Sequence, residues 1–558
     1  QRILDLRQWP RPFDLPGGGL FPQLANLAYV MQDNRGSTEA AQIRLPYDTA
    51  LDLLEATLPV EHAEAVLLAG CDLGVLDQER SKDELHFRHQ LLQEYFAARK
   101  LAAAPRADLA TSEWRADRIS PTVAEQIASL APAEPLPPLS ATGWEETMLL
   151  ASAMTADQDA FVEQLADRNL PLAGRCAAQP ESKVTEPLKE RLRWALVNRS
   201  RDAKADLRAR IAAGEALGEL GDPRFKRCVS AEGVEYLLPP MVRVPAGNYT
   251  IGSNEGIYPE EAPEHQVWLD AFWIGQFPVT NAEYACFIKD GGYEDERWWV
   301  GEAAQRWWRG EGTGDGLRAN VQDLLTRYCV SPQLLVRDRA MGIYSSTELA
   351  FLEAALLMDD SELQQLLDVK YASHVIRLPK YWQVHPFGVS TTPVAGVSWF
   401  EALAYCRWLC GIVPMEVSLP SEAEWEASCH VDAMIASAEC GMGPDGSNSV
   451  DCRLFRPSPI GVFSLNHESG PVDMIGNVSE WTRSIDYDLF AYPYESSDGR
   501  ESLETPYDVY RMTRGGGWNN SRVDSRVACR TCIHPSIQSE HTGFRLVSAA
   551  SAQIQGGS

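Results

Sequence analysis

Basic residues are scarce in this chain of 558: 50 lysines and arginines stand against 78 aspartates and glutamates, a formal net charge of −28. Such a surface cannot displace counterions from a phosphate backbone, which argues against nucleic acid as a partner. It is also repelled by anionic membranes. No apolar run approaches the roughly 18 to 20 residues needed to span a bilayer, so no membrane partner is expected. No GxxxxGK[ST] motif occurs. Nothing then cradles a triphosphate, and no ATP is expected. The start, Gln1-Arg2-Ile3-Leu4-Asp5, has neither an initiating Met nor a secretory apolar stretch, which reads as a fragment or a processed chain. Twelve cysteines are too few for a disulfide scaffold, and a reducing cytoplasm is the expected location. Cys71, Cys176, Cys228, Cys286, Cys329, Cys406, Cys410, Cys429, Cys440 and Cys452 read as buried reduced thiols. Cys529 and Cys532 form the only CxxC.

What is present is a chain able to fold, with 45% hydrophobic and 23% charged residues, long enough for two to four domains. Residues 1 to about 230 read almost entirely as helix. Leu51, Leu54, Leu58, Val66, Leu67 and Leu68 lie at helical spacing on candidate buried faces. A proline-rich connector follows at Pro135 to Pro138, and Gly218-Glu219-Leu220-Gly221-Asp222-Pro223 stops a later helix in the manner of stacked helical repeats. Near Tyr236 the texture changes to short strand-like runs such as Met241-Val242-Arg243-Val244, punctuated by Gly, Pro and Asn. Eleven of the sixteen tryptophans fall between Trp268 and Trp481, which marks a separate domain. The expected organisation is a helical region at 1–134, a HEAT-like helical region at 135–235, an irregular domain at 236–548 with a helical insertion at about 308–380, and a tail at 549–558.

Two resemblances sharpen this plan. Phe87-Arg88-His89-Gln90-Leu91-Leu92-Gln93-Glu94-Tyr95-Phe96-Ala97-Ala98 resembles the helical region that follows the nucleotide-binding core of NACHT-type signalling ATPases. It implies an ATPase core upstream of Gln1. The second covers about 236 to 548. Tyr249-Thr250-Ile251-Gly252-Ser253, Phe277-Pro278-Val279-Thr280-Asn281, Gly396-Val397-Ser398-Trp399 and Leu419-Pro420-Ser421-Glu422-Ala423-Glu424-Trp425-Glu426 appear in order. They are followed by Gly476-Asn477-Val478-Ser479-Glu480-Trp481, Arg514-Gly515-Gly516-Gly517-Trp518 and Thr542-Gly543-Phe544-Arg545. This series resembles the formylglycine-generating-enzyme (sulfatase-modifying factor) domain. The resemblance implies a mixed α/β chain: an N-terminal all-α region, then an irregular α+β domain of C-type-lectin-like fold.

The enzyme of that family oxidises a substrate cysteine with copper held by two thiolates, soft ligands suited to Cu(I). The family's pair follows the glycine-glycine-aromatic block, with four residues between. Here 519–526 holds no cysteine and is shorter, and register puts Cys529 at an alanine of the family's Arg-x-Ala-Ala-Arg. No copper and no catalysis are therefore expected. A copper-dependent cysteine oxidase with an atypical Cys529/Cys532 site is the alternative. An iron enzyme like the family's sulfoxide synthases lacks its spaced histidines. By the same resemblance, Asp473, Gly476, Val478 and Glu480 are candidate hard-oxygen ligands for a structural Ca2+. The stretch between the last two blocks resembles the variable proteins of diversity-generating retroelements. It names Trp518, Asn519, Asn520, Ser521, Val523, Asp524, Cys529, Thr531, Ile533, His534, Ile537, Ser539 and His541 as a ligand-binding face on irregular loops. Ile533, His534 and Ile537 are expected to be exposed, with no core role, and these three with Val523 to be needed for partner binding. The expected function is a non-catalytic recognition module for an unknown protein or other macromolecular ligand, the sensor part of a NACHT-type protein.

Overall fold

The computed structural model describes residues 19–33, 44–79, 83–131, 133–340, 344–431, 446–463 and 470–549. Two compact units divide the chain. The first takes in 1–118, 138–199 and 219–221, and the second takes in 119–137, 200–218 and 222–558. Cys440 lies outside the described residues.

In the first unit, Leu20, Leu24, Leu27 and Met31 recur at helical spacing and bury one face of the helix Leu20–Asp33. Helices Tyr47–Glu55, Val60–Asp72 and Gln90–Ala103 close the same core around Leu54, Leu67 and Phe96. The all-helical expectation needs correction here. Strands β1 (Arg44–Pro46), β2 (Leu76–Glu79) and β3 (Glu84–Phe87) form an antiparallel sheet in the order β1-β3-β2. Leu85 and Phe87 are buried while Glu84 and His86 are less so, a period of two that only a strand satisfies. The NACHT-like stretch therefore begins as strand, and its helix starts at Gln90. Helices Glu145–Met154, Gln158–Ala166, Leu170–Ala178 and Glu186–Ser200 follow.

The strands of the second unit begin with a hairpin of β4 (Lys226–Val229) and β5 (Glu235–Leu238). Next come β6 (Met241–Val244), β7 (Gly247–Ile251), β8 (His265–Leu269) and β9 (Phe272–Gly275). Helices Glu302–Trp308, Asp315–Val330, Pro332–Ala340, Ser346–Ala355 and Asp360–Lys370 interrupt the strands. Beyond them lie β10 (Val417–Ser418), β11 (Ser479–Ile485), β12 (Arg511–Arg514), β13 (Thr531–Ile533), β14 (Thr542–Phe544) and β15 (Val547–Ala549). Two four-stranded sheets result, ordered β10-β15-β9-β6 and β13-β12-β11-β14. In the second, β11 runs antiparallel to β12 and parallel to β14, with a register shift between Trp481 and Ile485.

The helix Trp399–Ile412 is buried along most of its length, because Ser398 and Glu401 cap it reciprocally and every turn carries an aromatic or Leu. Around it pack Trp299, Trp307, Trp408, Trp481, Tyr284, Tyr405 and Phe544, the tryptophan-rich core foreshadowed by composition. The architecture is mixed α/β, helical first and α+β second. The thiols are less uniformly buried than expected. Cys329 is exposed, and Cys71, Cys228, Cys286 and Cys410 are half-buried.

Candidate functional site

The framework blocks meet as ion pairs. Glu480 on β11 accepts from Arg545 Nε (2.9 Å) and Nη2 (2.8 Å) and from the indole N–H of Trp425 (2.8 Å), all three side chains being buried. Glu422 accepts twice from Arg530, at 2.8 and 2.7 Å, and Glu426 pairs with Arg514. A carboxylate so enclosed is a structural anchor. The residues expected to hold calcium are engaged by other partners in this arrangement. Both oxygens of Glu480 are engaged by Arg545, Asp473 Oδ2 accepts from the Gly461 amide (2.7 Å), and the turn at Gly476 and Val478 is held by Asn477 against Asn448 and Ser458. Among the described residues no group of three or more His, Cys, Asp or Glu is placed to hold a metal.

The thirteen residues expected to form one binding face fall into three neighbourhoods. Trp518, Ser539 and His541 come together. The Trp518 indole donates to the Glu540 carbonyl (3.2 Å), its ring meets His541 edge-on, and Ser539 Oγ lies 2.9 Å from His541 Nδ1. Asn520 joins them by accepting from the Gly517 amide (2.8 Å), with Asn519 exposed alongside. Ser521, Asp524 and Cys529 form a second group, pinned from below. Asp524 accepts from Tyr258 (2.6 Å) and from Ser521 (2.6 Å), while Arg526 beside them is held by Glu261. Val523 is exposed, and so is Thr531 on β13.

Ile533, His534 and Ile537 make the third group, and the expected exposure is corrected there. His534 is only 4% exposed. It lies between Tyr507 and Tyr510, Ser536 Oγ is 2.9 Å from its Nδ1, and burial pushes its pKa down to about 4. Ile533 packs on the main core and Ile537 lies beside Gly316. Alanine at these positions would disturb packing as well as any surface.

Around Trp518 the structure adds groups that sequence spacing does not mark. Gly396 donates its amide to the Ser539 carbonyl (2.9 Å) and accepts from the Lys380 amide (3.0 Å), which brings 380–381 against 539–541. Partial desolvation lowers the Lys380 pKa, opposed by the nearby Glu540 carboxylate. The same desolvation raises Glu540, and Tyr381, whose hydroxyl is turned to Glu540, is pushed up to about 12. Burial brings His541 down to about 4. Four titratable groups with opposed shifts beside a half-open surface are the arrangement expected of proton-transfer sites.

The CxxC cysteines have different charged neighbours. Burial pushes both thiols up to about 11. The principal charged neighbours of Cys529 are Arg514, Glu261 and Arg526, whereas Cys532 faces Asp486 and Tyr487. Their chemistry suits Cu(I), but two side chains with different surroundings are not a converged thiolate clamp.

Residues 227–550 match the family described as the sulfatase-modifying factor enzyme 1-like domain, more than half of the chain. The chain belongs to this family. Hercynine oxygenase of Mycolicibacterium smegmatis is 28% identical over 323 residues, which are 55% of this chain and 60% of that protein. Formylglycine-generating enzyme of Mycobacterium tuberculosis is 29% identical over 272 residues, 45% of this chain and 76% of that enzyme. The chain thus spans about 60% of the length of the first relative. Among solved structures, Treponema denticola variable protein 1 is similar over 59% of this chain and 99% of its own, at 14% identity and a TM-score of 0.31. Two expectations are overturned by these enzyme relatives. A non-catalytic recognition role, inferred from the missing thiolate pair, gives way to membership in a family of enzymes. The expectation that no copper is used rested on the same missing pair and falls with it.

Proposed function

We propose that this domain is an oxidase acting on a thiol substrate, which lies over Trp518 beside Asn519 and Asn520. The observation that carries the reading is the Lys380–Tyr381–Glu540 cluster at that rim. A thiol must lose its proton to a base before it is oxidised, and partial desolvation lowers the Lys380 amine from its ordinary value. Lys380 is the base, and the Glu540 carboxyl with the Tyr381 hydroxyl holds or returns a proton. The enzyme relatives support an oxidative reaction. The chain's own residues bind and deprotonate the thiol. Oxygen uptake with a cysteine-containing peptide, with and without added Cu(I), tests this. Lys380→Met should lower kcat/KM about 100-fold, the lower range of general-base contributions, and shift the acidic limb of the pH profile, along which a general base loses its own proton. Absence of peptide oxidation under both conditions, or an unaltered Lys380→Met enzyme, sinks the reading.

We also infer that the exposed Asn519, Val523 and Thr531 tune which substrate is accepted and differ between sibling genes. The fixed posts beneath, Tyr258–Asp524 and Glu261–Arg526, support such tolerance. Sequencing the locus in sibling strains decides it, since invariance at all three would exclude variability. Residues 87–101 support a NACHT-type origin for the first unit, tested by the sequence upstream.

A further inference from the structure

The loop that carries Ser539, Glu540 and His541 is fastened to a carboxylate in the core. Glu401, in the first turn of the helix Trp399–Ile412, is 0% exposed and has no ion-pair partner among the described residues. Its Oε2 accepts from the Ser398 amide (2.7 Å) and from the Gln538 side-chain amide (2.8 Å), and its Oε1 accepts from the Tyr293 hydroxyl (2.5 Å). The Tyr293 hydroxyl lies 3.1 Å from that of Tyr284. Burial without a countercharge favours the neutral carboxyl and, against those hydrogen bonds, pushes its pKa up to about 7. The titratable groups facing this chain are Tyr284, Tyr293 and Cys406, all raised by burial and neutral at that pH.

Of the three partners, Ser398 and Tyr293 are as deeply buried as Glu401, and only Gln538 is half-buried. Solvent is therefore nearest on the Gln538 side. The loop 535–541 closes that side over the start of the helix. The Trp399 amide donates to the Pro535 carbonyl (3.0 Å), and the Gly396 and Thr542 amides both donate to the Ser539 carbonyl (2.9 and 3.1 Å). An ionised Glu401 needs hydration that the seated loop denies it. We propose that Glu401 is a pH-sensitive latch: neutral, it holds the loop through Gln538, and ionised, it draws water in from that side and loosens Ser539, Glu540 and His541. The sign follows from linkage, because a carboxyl raised in the seated state favours seating when protonated. On the loop itself, burial holds His534 and His541 at about 4, so both are neutral where Glu401 titrates, while Glu540 and nearby Lys380 are the remaining ionisable groups. Nothing in this inference depends on the oxidase reading.

Hydrogen exchange of the Gly396 and Thr542 amides, expressed as protection against the unstructured rate at each pH, tests it. Between pH 6 and 8.5 the parent's protection should fall about tenfold, the linkage expected if opening returns Glu401 from about 7 to an ordinary 4.5. Glu401→Gln keeps a capping side chain that cannot ionise and should cut the fall to less than about threefold. Glu540→Gln should leave the fall as in the parent. Should Glu401→Gln not fold, Gln538→Ala, at a half-buried position, decides: with the seal gone, protection should already be low at pH 6 and nearly flat with pH. A fall that survives in full in Glu401→Gln belongs to another group, such as Glu283 at about 8, and overturns the proposal. So would constant or rising protection in the parent, loss of the effect in Glu540→Gln, or a parent-like Gln538→Ala.

Discussion

Glu283 carries the clearest pH signature of any single residue. It is buried, it caps the helix Asn281–Lys289 by accepting from the Thr280 amide (2.8 Å) and hydroxyl (2.7 Å), and its other oxygen has no partner. Burial, against the pull of those two hydrogen bonds, pushes its pKa up to about 8 from an ordinary 4.5. A carboxyl raised on folding is neutral in the native state. The stability it contributes is complete below about pH 4.5 and is lost as pH rises through about 8. Glu283→Gln keeps a capping side chain without the charge. Melting curves from pH 5 to 9 should therefore fall less steeply for this variant than for the parent. Glu480 belongs to the opposite class, a paired charge. Glu480→Ala strands Arg545 and should cost about 3–5 kcal/mol in denaturant unfolding. Excess chelator should leave the parent's melting temperature unmoved, since both oxygens of Glu480 are spent on Arg545.

Among the elements, the turn between 473 and 478 shows how tightly the irregular backbone is set. Gly476 has φ +76°, and a Cβ there would sit 2.4 Å from the Asn448 carbonyl oxygen. Gly476→Ala should destabilise by more than about 1 kcal/mol, and because Asn448 leads into 449–452 the loss should appear first as faster amide exchange there. The same turn shows what sequence could and could not disclose. Its block, Gly476 to Trp481, was legible as a framework element, as were Trp425 and Arg545 in theirs. Their convergence on one buried carboxylate was not, because the partners lie 55 and 65 residues from Glu480. The Lys380–Glu540 pair hides for the same reason, bridged only by the Gly396 backbone. Strand β3 was missed because four residues of period two are lost beside long helical periodicity. His534 was misplaced because a histidine among polar neighbours reads as surface until Tyr507 and Tyr510 fold over it.

On the scale of the whole molecule, each unit has its own core. Helices through 302–370 interrupt its strands, yet the sheets close across them. The order β10-β15-β9-β6 puts β15 in the interior of its sheet, flanked by Val417–Ser418 on one side and Phe272–Gly275 on the other. A chain stopped after Arg545 should therefore lose cooperative unfolding and soluble yield together, and near-ultraviolet circular dichroism of the tryptophan core would report it. The same strand order sets a timetable for synthesis. A ribosome delivers β6 and β9 roughly 270 residues before the strand that must lie against β9, so through most of translation that edge is open to the wrong partner. Slowing translation would prolong that exposure, and a shielded nascent chain should reach the folded state in higher yield.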